Sequence, residues 1–309
     1  MTGVLGGFAA LAAVIAVGWV VGRTGVLGAD APAILSRLSF FVATPALLFL
    51  TLGGADTTAV LSVALVGTAG SAVLTALLYA ALAWWRWRLP AAQLTTGALA
   101  TSYVNAGNLG IPVSVYILGD ASYVAPVLLF QVLVMAPIGL AVLAGSRTGD
   151  QAAPTWRQLL AQPLRTPVVI GCALGLLLSA SAVDLPAAVL EPVELVAALA
   201  VPAALLAYGM TLHGAPRPAA GELAGQVWLA VVLKNLAMPA IAYALGRWVA
   251  GLEGIALLGV VVTSALPTAQ NVFVYAATYD RGTLLARDVI LLSTVLSVPV
   301  LVGIALLLG

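Results

Sequence analysis

Apolar runs of about 20 residues recur along the whole chain, and that recurrence constrains its fold more than any motif. A helix of that length crosses a hydrocarbon core of about 30 Å. Of the 309 residues, 62% are hydrophobic and 7% are charged, and the mean hydropathy is +1.13. Soluble domains carry about 25% charged residues. The chain therefore reads as an all-α integral membrane protein. The net charge of +1 and the lack of a basic tract give no reason to expect nucleic acid. Cys172 is the single cysteine; it reads as a small packing residue, and alone it makes neither a disulfide nor a metal site.

Polar and turn-forming residues divide the runs into ten expected spans: about 3–22, 31–52, 58–85, 91–118, 121–145, 166–183, 188–212, 222–250, 254–279 and 283–308. The first run lacks the basic start of a signal peptide, its first charge being Arg23, and reads as a retained span. With both termini outside, the odd-numbered connections hold Arg23, Arg86, Arg88, Arg147, Arg157, Arg165, Arg217 and Arg281, and the even ones only Arg247. That bias places the odd connections on the cytoplasmic side. The longest connection, 146–165, joins two five-span halves, 1–145 and 166–309. Trp156, Leu159, Leu160 and Leu164 share a face there, as in a short interfacial helix. Trp84, Trp85 and Trp87 fit an interfacial aromatic belt.

The halves resemble each other. Gly97, Thr101 and Ser102 in "GALATS" match Gly259, Thr263 and Ser264 in "GVVVTS", an offset of 259 − 97 = 162. Pro45 in "TPALLFLTLGGA" matches Pro202 in "VPAALLAYGMTLHGA", an offset of 202 − 45 = 157. Five spans per half put the second half into the membrane the other way up. Inverted repeats of this kind are the recurring plan of secondary transporters, whose sites lie at broken helices near the midplane.

Two stretches read as such breaks. "NAGNLGIP" interrupts span four with Asn105, Gly107, Asn108, Gly110 and Pro112. "PTAQN" interrupts span nine with Pro267, Gln270 and Asn271. Proline removes a donor and disrupts the preceding turn, and glycine weakens a helix further. The freed groups are tolerated only where protein or a wet cavity covers them. Two breaks at matched positions can cross, with half-helix N-termini turned to one spot, which suits an anion. The amides add hydrogen bonds without fixing a charge.

With these motifs the whole chain resembles the auxin efflux carrier family, in its bacterial branch, whose fold is similar to the bile acid–sodium symporters. The resemblance implies carriage of small organic anions, auxin-like acids or mono- and dicarboxylates, by an elevator-type movement, with no cofactor. It implies crossed helices 4 and 9, with Asn105, Asn108 and Pro112 at one crossing and Pro267 and Asn271 at the other. Spans 1, 2, 6 and 7 would form a scaffold and spans 3–5 and 8–10 a transport domain, and a homodimer through the scaffold would fit. A plasma membrane is the implied location.

Ionisable groups within spans are costly and point to function. Lys234, mid-span in "VVLKNLAMP", is a candidate to pair with an anionic substrate or to bond backbone carbonyls near the crossing. Arg37, Arg287 and Asp288 lie near span ends, where long side chains can snorkel. Glu191 and Glu194 read as lining a wet vestibule, with a proton or cation site as the alternative, and His213 reads as a surface histidine.

The alternative is a sodium-coupled symporter of the bile acid type. Those carriers typically place a glutamate in the second crossing, and no acidic residue lies between Glu253 and Asp280. An enzyme is disfavoured by a single histidine and no intramembrane carboxylate cluster. No phosphate-binding Gly-x-x-x-x-Gly-Lys-Ser/Thr sequence occurs, which argues against an ATP-driven pump.

Overall fold

The computed structural model describes residues 2–54, 63–145, 167–181, 183, 185–213, 218–219 and 221–309. The expected interfacial helix in 146–165 lies outside them. The described elements are helical: α1 Thr2–Thr24, α2 Ala31–Gly53, α3 Ala64–Trp87, α4 Ala91–Ser102, α5 Ile111–Leu118, α6 Pro126–Leu143, α7 Pro167–Ser181, α8 Ala187–Leu212, α9 Gly221–Val249, α10 Gly254–Ser264, α11 Asn271–Tyr279 and α12 Thr283–Leu308. Among the described residues six of these, α2, α3, α6, α8, α9 and α12, are long and apolar enough to cross a membrane. The stretches read as spans four and nine are each divided, into α4 with α5 and α10 with α11.

Long apolar helices in lipid gain little from hydrophobic burial against one another, so close backbone approach through small residues has to hold them. Two compact units result, and each is interleaved along the chain. One comprises residues 1–60, 107–125 and 164–216, and so contains α1, α2, α5, α7 and α8. The other comprises residues 61–106, 126–163 and 217–309, with α3, α4, α6 and α9 to α12.

In the first unit α1 packs on the second half of α8, and α7 packs on α2. Both contacts use glycines four residues apart on one helix face. A Cβ on Gly18 would collide with the backbone of Leu206 and Gly209, and one on Gly22 with Met210. A Cβ on Gly171 would collide with the backbone of Pro45, and one on Gly175 with Phe49. The two glycine pairs are related by 171 − 18 = 153 and 175 − 22 = 153. Ser39 ties α2 to α8 with a hydroxyl that donates to the Ala200 carbonyl at 2.7 Å, fully buried. Ser39→Ala is expected to cost about 1 kcal/mol, the net value of one such bond; a chemical-denaturation midpoint unchanged from wild type would contradict it.

In the second unit α3 is the long central element, touching α4, α9 and α10. Its core face is small and hydroxylated: Thr68, Ser71 and Thr75 are buried. Each turns its hydroxyl back to a carbonyl three or four residues earlier, which satisfies it without a partner helix. Gly97 of α4 lies where a Cβ would collide with the Tyr79 ring of α3. Helix ends carry cation–aromatic contacts, Arg23 over Trp19 at 5.3 Å and Arg88 over Trp84 at 4.3 Å. That pairing suits the headgroup level.

Candidate functional site

The first half-helices, α4 and α10, end in the same way. Thr101 donates to the Gly97 carbonyl at 2.7 Å and Thr263 to the Gly259 carbonyl at 2.8 Å. Ser102 and Ser264 are the last helical residues, 264 − 102 = 162 apart. The Gly-x-x-x-Thr-Ser frame is thus a pair of helix endings. The helices are closed by Tyr103 N–H to the Leu99 carbonyl at 2.8 Å and Ala265 N–H to the Val261 carbonyl at 3.0 Å.

Beyond these ends the two chains run extended and antiparallel, with Val104 opposite Thr268. Asn105 N–H donates to the Pro267 carbonyl at 2.7 Å, and Ala269 N–H to the Tyr103 carbonyl at 3.0 Å. Each break thereby covers the other's exposed backbone, which a bilayer interior requires. The remaining groups are met by side chains from α6 and α12. The Gln131 amide of α6 accepts from Val104 N–H at 2.5 Å and donates to the Val104 carbonyl at 3.1 Å. The Ser293 hydroxyl of α12 accepts from Thr268 N–H at 3.1 Å. The Thr268 hydroxyl donates to the Ala100 carbonyl at 2.5 Å. Gln131, Thr268 and Ser293 are all buried. Gln131 imitates a strand edge: one amide group supplies both an acceptor and a donor to one residue's backbone.

Of the residues expected at the site, Asn105 and Pro267 are brought into direct contact by this bridge. Asn105 is buried, while Gln270 and Asn271 are half-buried just beyond it, where α11 begins. The Val272 and Phe273 N–H groups of its first turn close on the Ala269 and Gln270 carbonyls at 3.2 and 3.0 Å. Tyr103 and Tyr275 flank the crossing edge-on, with ring centroids 6.3 Å apart. Gly107, Asn108, Gly110 and Pro112 belong to the other compact unit. Gly107, Asn108 and Gly110 lie in a π-helical turn, Ala106–Gly110, and Pro112 is the second residue of α5. The side chains of Asn108 and Pro112 lie outside the described set.

The break in span four is therefore at Tyr103–Asn105, at the front edge of "NAGNLGIP" and ahead of it. Pro112 follows the π-helical turn inside a helical run that continues from Ala106 to Leu118. Lys234, in the π-helical turn Leu233–Ala237 of α9, is fully buried. Its ammonium head donates to the Ser264 carbonyl at 3.0 Å and to Met238 Sδ at 3.1 Å. The neighbouring Asn235 donates to the Ser293 carbonyl at 3.3 Å.

The other charges have local explanations. Arg287 pairs with Asp288 through two bonds of 2.8 and 2.6 Å, and Asp288 also accepts from Ala219 N–H at 3.0 Å. Glu191 and Glu194 are exposed. His213 is exposed and stands edge-on to Trp19 at 6.0 Å. The described residues contain no group of His, Cys, Asp and Glu that could hold a metal ion.

Gln131, Thr268 and Ser293 were not singled out by sequence reasoning. A lone amide in "LLFQVLVM" was the available signal for the first, since a polar residue inside a span is costly without a role. Serine and threonine give no such signal, because they satisfy themselves within any helix.

A family model described as "Membrane transport protein" matches residues 4–305. No curated protein matches the chain.

Proposed function

Because this chain belongs to the membrane transport protein family, that of the auxin efflux carriers, we propose that it is a secondary carrier of small organic anions that binds them at the crossing of its two broken helices. It is a multi-pass membrane protein of a transporter family. The observation that carries the finer reading is the antiparallel bridge of Val104 and Thr268. Two helix breaks that cover each other's backbone form a costly device, and a membrane protein of purely structural role has no use for it.

The chemistry is that of a neutral, donor-rich site. The start of α11 offers the positive end of a helix dipole, with the amides of Asn105, Gln270 and Asn271 beside it. A carboxylate is held there by hydrogen bonds and partial charge, weakly enough to be released. We take the unit carrying the crossing as the transport domain, moving in an elevator-type step, and α1, α2, α7 and α8 as the scaffold. Two inverted five-helix repeats are supported by the matched Thr101 and Thr263 bonds and by the two glycine pairs of α1 and α7. The arginine bias supports both termini outside, and the resemblance to the family's bacterial branch supports a bacterial plasma membrane.

Counterflow in proteoliposomes tests this reading, with mono- and dicarboxylates and indole acids in choline buffer. Saturable exchange is expected for wild type. Asn105→Ala and Asn271→Ala are each expected to lower it at least about tenfold, the loss of roughly 1.4 kcal/mol that one charge-assisted hydrogen bond supplies. Both variants are expected to stay folded, each at a cost of no more than about 1 kcal/mol, the net value of one buried hydrogen bond. Full exchange in both would remove the crossing as the binding site.

A further inference from the structure

The head of Lys234 lies in an unusual place. Ser264 ends α10, so its carbonyl is at the negative end of a half-helix dipole, where last-turn carbonyls lack intrahelical donors. The Lys234 ammonium group sits on that carbonyl at 3.0 Å, with Met238 Sδ as its second contact at 3.1 Å. The residue is 0% exposed. Neither of the ion pairs among the described residues involves it. A lysine buried for stability would be paired with a carboxylate, since an unpaired buried charge is strongly unfavourable.

The head thus meets one oxygen and one sulfur, and uncharged polar groups lie on the elements around it. The Ser264 hydroxyl lies 3.2 Å from that of Ser71 on α3. The Oδ1 of Asn235, next in the chain to Lys234, is a buried acceptor with no donor among the described residues. A carbonyl oxygen at a helix C-terminus is the ligand type that a hard cation takes, and the Met238 sulfur beside it is not. Lys234 also sits in a π-helical turn, a departure from the α-helix that is frequent at functional sites. The turn is a local device that sets the lysine over the end of α10.

We infer that Lys234 is a tethered cation: its ammonium group occupies, as part of the chain, the position at the α10 terminus that a dissolved monovalent cation would otherwise fill, and it thereby positions the crossing for substrate. This inference rests on the reading of the crossing as the transport site. Lys234 is accordingly a positioning residue, with no contact to substrate, and the carrier works without added sodium.

The test is thermal unfolding of the purified full-length chain at equal ionic strength in choline, sodium or methylammonium chloride. Wild type is expected to melt at one temperature in all three. Lys234→Ala opens space beside the Ser264 carbonyl. It is expected to melt lower in choline and to recover about half of the loss or more as methylammonium or sodium is raised, as a ligand bound only by the folded state must act. A merely structural lysine would show no such rescue. Lys234→Met keeps the volume without the charge and is expected to melt at one temperature in all three salts, with counterflow in choline lost. An identical melting temperature for Lys234→Ala in all three salts overturns the inference. If Lys234→Ala cannot be obtained folded, Lys234→Met decides: wild-type melting and wild-type counterflow overturn the tethered cation. The melting measurements need no substrate, so a failure to find a transported anion leaves the cation question decided.

Discussion

Gln131→Leu is expected to unfold the unit that carries the crossing, or to lower its melting temperature by more than any other single change in α6. The side chain of Gln131 is the partner of both the Val104 N–H and the Val104 carbonyl. Leucine fits the volume and suits the membrane better, so burial alone would favour it. It strands the buried Val104 N–H and takes one of two donors from the Val104 carbonyl, each loss costing at most about 1–3 kcal/mol. The sum, about 2–6 kcal/mol, is a large part of a stability of about 5–15 kcal/mol. The carbonyl keeps one other partner, the Ala106 N–H at 2.8 Å, which places the expected loss toward the middle of that range. Gln131→Asn is one methylene shorter and is expected to fall nearly as far. Circular dichroism melting of the detergent-purified variants measures both. A leucine variant as stable as wild type would mean that the amide is not what closes the broken helix.

Gly171→Val and Gly18→Val are the second pair of large effects. Added atoms at Gly171 meet the backbone of Pro45, and at Gly18 the backbone of Leu206 and Gly209. A flexible side chain could move aside; a helix backbone moves only as a whole. The expected cost is at or above the roughly 3 kcal/mol upper end for overpacking, for each variant separately. Gly303→Ala in α12 is the control: a Cβ there meets nothing, and helix propensity favours alanine by about 1 kcal/mol. If Gly171→Val melted with Gly303→Ala, the close approach of α7 to α2 would not be holding the first unit together.

The expectations about the two breaks met different outcomes, and the difference is instructive. Pro267 in "PTAQN" does mark an interruption, between α10 and α11. Proline acts through its own ring and missing donor, so its effect is local and readable. The other interruption falls at Tyr103–Asn105, residues with no helix-breaking chemistry apart from one asparagine. It forms there because Gln131 lies 27 residues away and Thr268 presents a matching strand edge. Neither partner is visible in a window around Asn105. Lys234 shows the same division. Its cost inside a span is evident from residue type, while its choice of the Ser264 carbonyl depends on a residue 30 positions further on.

By itself the sequence determined that the chain is helical and lies in a membrane, where most helices begin and end, and which residue types would be expensive there. Those properties follow from composition, run length and local backbone chemistry, each carried by neighbours in the chain. Tertiary structure alone decided where span four opens, which side chains cover the opened backbone, and what a buried lysine faces. A broken helix in lipid must find partners for its main-chain groups, and here these partners come from other helices.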